Sequence, residues 1–176
     1  ARVWPIHLTI EPDEFDALQP PPPAGFAPGG PAPVPAPAPP AAKPPRESER
    51  NLFGTEFRWV RGTVSVGDTS LKDVGIRYAG DMTYLMSAGG LKRPFKLAFD
   101  KFGKQSLLGL THLHLHAMSM DPSTLRETMA CSTFRACGVP ARRTAYAEVK
   151  LTVPGRFADF LLGLYTLVED VDATFL

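Results

Sequence analysis

Two short stretches carry residue types that could do chemistry together: Leu91-Lys92-Arg93-Pro94-Phe95-Lys96-Leu97-Ala98-Phe99 and, further on, Asp121-Pro122-Ser123-Thr124-Leu125-Arg126-Glu127. The first reads as a short strand. Lys96 lies between Phe95 and Leu97, so period-two alternation puts its ammonium on the face opposite those apolar side chains. The second opens a helix in which Glu127 shares a face with Cys131 and Phe134, where a carboxylate wants a cation. Lys96 is the candidate cation, and the two held together would form a clamp for nucleotide phosphates. A local pair with Arg126 or Arg135, or plain exposure, is the competing arrangement for Glu127. Lys92 and Arg93 stand at the start of the strand, either as a second phosphate contact or as solvated edge charges.

Other residues widen the set. Arg77, in Gly75-Ile76-Arg77-Tyr78, precedes the loop that opens with Gly80-Asp81-Met82-Thr83-Tyr84. His112, His114 and His116 alternate with Leu113 and Leu115, which places three imidazoles on one strand face. They could ligate zinc or copper, but on a flat strand the first and last lie about 13 Å apart, too far for one ion to hold all three. A histidine-rich polar strand face is the better reading. Cys131 and Cys137, about 9 Å of rise apart on one helix, are too far apart for a disulfide and read as buried thiols. Glu169-Asp170-Val171-Asp172 forms an acidic cluster at the end of the last apolar run.

Local patterns suggest the elements that position these groups. Val3 to Ile10 alternates as a strand, and Pro12 opens a brief helix through Phe15 and Leu18. Residues 19–50 hold most of the chain's prolines and read as an extended or disordered low-complexity insert. From Glu56 to Val66 and from Leu71 to Tyr78 two strands turn at Gly67-Asp68 as a hairpin. Phe95 to Phe99 and Leu108 to Leu115 are further strands, with Gly80 to Gly90 as a loop. Asp121 is the expected N-cap of the principal helix, with Pro122 at its first position and Met120 stapled onto Leu125. That helix should end near Cys137 and Gly138. Ala145 to Val153 and Leu161 to Glu169 pair around Pro154-Gly155. These elements predict an α+β fold, an antiparallel sheet packed by one main helix.

With 19 Lys and Arg against 18 Asp and Glu, the formal charge of +1 encodes no strong attraction to nucleic acid or anionic membrane. Nothing has the pattern of a helix-turn-helix or a zinc finger. No apolar run reaches the roughly 18 residues of a membrane span.

Four blocks, in order, carry a resemblance: Val74 to Gly80, Gly90 to Lys96, Met120 to Pro140, and Gly163 to Asp172. Together they resemble the spore coat protein H (CotH) kinase-like family over Thr55 to Leu176, and Trp4 to Leu18 resembles that family's N-terminal strand and helix. The resemblance implies the N-terminal lobe of an atypical protein kinase fold. Its cofactors would be ATP and Mg²⁺, and its full-length activity would be γ-phosphoryl transfer to Ser or Thr hydroxyls of a coat or surface protein. It also implies that Lys96, Glu127, Arg77 and Lys92 contact or support nucleotide, and that Glu169 begins a hinge whose backbone would meet the adenine. Where the family tends to read Gly-Asn-x-Ser, this chain has Asp81 and Met82. A second, C-terminal kinase-like lobe would supply the metal-binding carboxylates, and no candidate follows Asp172, so this chain is expected to be inactive alone. The alternative implied is a noncatalytic spore-coat or cell-surface interaction or adhesin module. A secreted or cell-surface location follows from the resemblance, since no signal peptide is present in the chain.

Overall fold

Alternating apolar strands at both ends of the chain need partners for two edges, and the fold satisfies both by closing the sheet on itself. A computed structural model describes residues 2–20, 46–87 and 89–171. Its strands are β1 (Val3–Thr9), β2 (Ser48–Arg50), β3 (Glu56–Arg58), β4 (Val60–Val66), β5 (Thr69–Tyr78), β6 (Phe95–Ala98), β7 (His112–His116), β8 (Thr144–Val153) and β9 (Phe157–Glu169). Three helices, α1 (Pro12–Leu18), α2 (Met82–Met86) and α3 (Arg126–Ala136), interrupt them. Strands β2 and β3 pair separately. The others form a closed barrel in the order β1-β4-β5-β6-β7-β9-β8.

Closure comes from β1, which runs antiparallel to β4 on one side and parallel to β8 on the other, with Ile6 opposite Val66 and Val149. This overturns the expected α+β layer: the sheet is mixed and closed, and among the described residues no helix packs it as a second layer. The expectation went astray because period-two patterning tells which residues face inward but not which distant strands pair. Ile6 and Leu8, Val74 and Ile76, Phe95 and Leu97, Val149 and Leu151, and Tyr165 fill the interior.

At one end the barrel is plugged by side chains. Phe15 and Leu18 of α1 are buried there, and Pro12 opens that helix as expected. Tyr84 of α2 packs on Phe57 at 4.7 Å between ring centroids and on Tyr78 at 5.5 Å. The segment read as a plain loop thus holds a short helix, because a buried tyrosine anchors it.

The expected principal helix is shorter and less buried than its pattern implied. It begins at Arg126 rather than Asp121, and no residue of α3 is buried. Asp121 still caps it, from a distance: Oδ2 accepts the Arg126 N–H at 2.9 Å while Oδ1 accepts from Ser123 N and Oγ. Thr124, at φ 58°, makes the turn between them. Met120 and Leu125, expected to staple, are both exposed. Cys137 is exposed and Cys131 half-buried, both as free thiols, so the buried-thiol reading does not hold. The insert's prolines between 21 and 45 lie outside the described residues. Among the described residues no helix is long and apolar enough to cross a membrane.

Candidate functional site

Strands β5, β6 and β7 lie side by side in a register that sets Arg77 opposite Lys96 and Lys96 opposite His114. Their neighbours Ile76, Leu97 and Leu113 turn into the barrel, so alternation aims this polar row outward. Beside it opens a pocket of about 430 Å³, lined among others by Arg77, Gly80, Thr83, His114, His116 and Glu127. Segments far apart in sequence therefore meet here: the end of β5, the loop after it, the end of β7 and the first turn of α3.

Arg77 is the buried cation of the site. It donates to Tyr78 O at 3.0 Å and to Glu49 Oε2 at 2.6 Å, and its guanidinium lies over the Trp59 ring at 4.9 Å. Burial draws its pKa down, partly offset by Glu49. Its Nε is buried with no hydrogen-bond partner among the described residues. Gly80 follows at φ 89°, and a Cβ there would collide with Thr83 Oγ1, so the loop takes this path only with glycine. Asp81, the departure from the family's small neutral residues, turns away to accept the Leu52 N–H at 2.8 Å.

The expected clamp is not what the structure brings together. Lys96 Nζ lies 2.7 Å from Asp170 Oδ2, and Asp170 Oδ1 accepts from His114 Nε2 at 3.1 Å. Glu127 is engaged by His116 Nδ1 at 2.7 Å and by Arg142 at 3.3 Å. Burial raises the Glu127 carboxyl, but the hydrogen bond and charge of His116, with Arg142, outweigh it and hold the group below its ordinary value. Burial likewise pushes Asp170 up, yet Lys96 and His114 bring it down to about 2. Burial also lowers the pKa of His114, only partly opposed by Asp170.

The other two predicted residues stand away from the pocket. Lys92 lies over the Tyr165 ring at 5.5 Å, its stem crossing Gly163, and burial lowers its pKa. Glu169 is bound by Arg143, whose Nη2 donates to Oε1 at 2.5 Å. Sequence reasoning weighed His114 and His116 only as metal ligands or a polar strand face, and Asp170 only as part of an acidic cluster, and gave none of them a place beside Lys96 or Glu127. A signal was present in the alternation of histidine with leucine, but each imidazole's carboxylate comes from a different element: Asp100 for His112, Asp170 for His114 and Glu127 for His116. Among the described residues no group of three or more His, Cys, Asp or Glu is arranged to hold a metal ion.

Residues 76–176 match the family model described as CotH kinase protein. That span starts within β5 and takes in β6 through β9, and with them every wall of the pocket. No curated protein matches the chain.

Proposed function

The chain belongs to the CotH kinase protein family, and from that premise we propose that the pocket beside Arg77, Lys96 and Glu127 receives the phosphates of ATP. In the full-length protein this would serve phosphoryl transfer to Ser or Thr hydroxyls of a secreted, coat or surface protein. The observation that carries the reading is the convergence of the buried Arg77, a glycine-dependent loop and His114 on one pocket, with Lys96 directly between Arg77 and His114 in the strand register. Cations and exposed backbone donors in a partly dehydrated recess are what a phosphate group needs. Asp81 is turned toward Leu52 N and does not line the pocket.

The fit is good for phosphate and poor for Mg²⁺. Both carboxylates that line the pocket are already engaged, Asp121 by Ser123 and Arg126 and Glu127 by His116 and Arg142. The same observation favours a second reading, a noncatalytic coat or surface interaction module that binds nucleotide without turning it over.

Titration of the chain with ATP, with and without Mg²⁺, by isothermal calorimetry tests the pocket. Binding in the wild type and a loss of about tenfold or more in Lys96→Ala are expected, on the scale of one charge-assisted contact. Wild-type protein that binds no ATP would sink the reading, and unchanged affinity in Lys96→Ala would mean that another residue serves the phosphates. Autophosphorylation of the full-length protein separates the kinase from the noncatalytic module.

A further inference from the structure

Lys96 sits between two pocket-lining neighbours, Arg77 on β5 and His114 on β7, each directly opposite it across a strand pair. A lysine stem has several rotatable bonds, and leaving it loose would cost a phosphate site much of the gain from its charge. Something must hold the ammonium. Asp170 does so from the end of β9: its two oxygens bridge Lys96 and His114, and Oδ1 also accepts the Val171 N–H at 3.1 Å. The pairing of β9 with β7 sets Val168 opposite His114, which delivers the residue two positions later to the row. Both partners are largely shielded, Lys96 at 18% and Asp170 at 22% side-chain exposure.

Glu127 is differently committed. One oxygen meets His116 and the other Arg142, so its bonds fasten α3 to the end of β7 and to the segment leading into β8. An ammonium has three N–H donors, and the one directed at Asp170 leaves two for an anion. We propose that Asp170, rather than the helix glutamate, is the positioning residue for Lys96, and that His114 steadies Asp170 in that role. This rests on the phosphate reading of the pocket above. Asp170 touches no nucleotide itself; it fixes the donor that does, so that binding does not have to order the lysine.

ATP affinity, measured by calorimetry on folded protein checked by thermal melting, tests the assignment. Asp170→Asn keeps the shape and removes the charge, and should weaken ATP about tenfold. Asp170→Glu should recover most of that loss, a rescue that a merely structural role would not produce. Glu127→Gln should lose less than Asp170→Asn, and Asp73→Asn, an exposed pair with Arg61 elsewhere on β5, serves as the control. Should Asp170→Asn fail to fold, His114→Gln removes the second hold on the carboxylate and should weaken ATP about threefold. Equal or tighter binding in Asp170→Asn, unchanged binding in His114→Gln, or a larger loss in Glu127→Gln overturns the proposal while leaving the pocket reading intact. Absence of ATP binding in the wild type removes both.

Discussion

Helices α1 and α3 are held to the same barrel differently: both carry ion pairs, such as Glu14–Arg46 and Asp16–Arg156 on α1, but only α1 adds buried side chains. The first has seven residues and buries Phe15 and Leu18 in the barrel's end, where Phe15 meets Phe157 edge-on at 5.9 Å. The second has eleven residues and buries none, although Phe134 and Met129 are apolar. It is tied by polar contacts: Glu127 to His116 and Arg142, and the Tyr146 hydroxyl to Thr124 O at 2.9 Å. A helix seated by buried area moves only when the core opens. One fastened by hydrogen bonds and ion pairs can shift at small cost, because each contact can be exchanged for water or another partner. The element next to the candidate phosphate site is the adjustable one.

The sharpest test of that contrast is a pair of truncations. Phe15→Ala should cost about 3–5 kcal/mol, the usual range for a buried aromatic, whereas Phe134→Ala, at 53% exposure, should stay within about 0.5 kcal/mol. Chemical denaturation of both variants measures this. Equal losses would mean that α3 is seated in an apolar contact after all.

A second test concerns the polar row on the strands beside α3. Asp170 is held at about 2 against an ordinary 3.8, so the unfolded chain takes up its proton more readily than the folded one. Its contribution is complete above the ordinary value and is lost as pH falls toward 2. Denaturation midpoints followed downward through that window should drop for the wild type and less steeply for Asp170→Asn. Equal slopes would show that the Lys96–Asp170–His114 contacts do not differ between folded and unfolded chains. The smallest effect is expected at Asp121. Asp121→Ala removes the acceptor of the Arg126 N–H and should speed amide exchange in the first turn of α3, with the barrel strands unaffected. Slower or unchanged exchange there would show that the remote carboxylate is not a cap.

Much of this was legible residue by residue. The hairpin at Gly67-Asp68, the opening of α1 at Pro12, and the pairing of the last two strands follow from turn chemistry and alternation, which are local. Placing Arg77 and Glu127 at one site was also within reach, and both line the pocket. What escaped is long-range. The parallel pairing of Val3–Thr9 with β8 leaves no mark on either strand, since an inward side chain looks the same beside any neighbour. The partner of Lys96 escaped for the same reason, because Asp170 reaches it only through the register of β9 on β7. The start of α3 was misplaced because Asp121 and Pro122 have cap chemistry, but the turn through Thr124 delays the first helical residue.

The parallel seam between β1 and β8 also separates two kinds of boundary. The family match begins at Ile76, yet the hydrogen-bonded ring that supports the pocket runs through residues as early as Val3. A chain cut at Ile76 would keep the whole recognisable stretch and lose β1, β4, α1 and most of β5. It would present two raw strand margins, one along β8 and one along β6, each inviting addition of a stranger's strand. The matched stretch is therefore smaller than the closed ring of strands, and the difference is filled by an N-terminal staple.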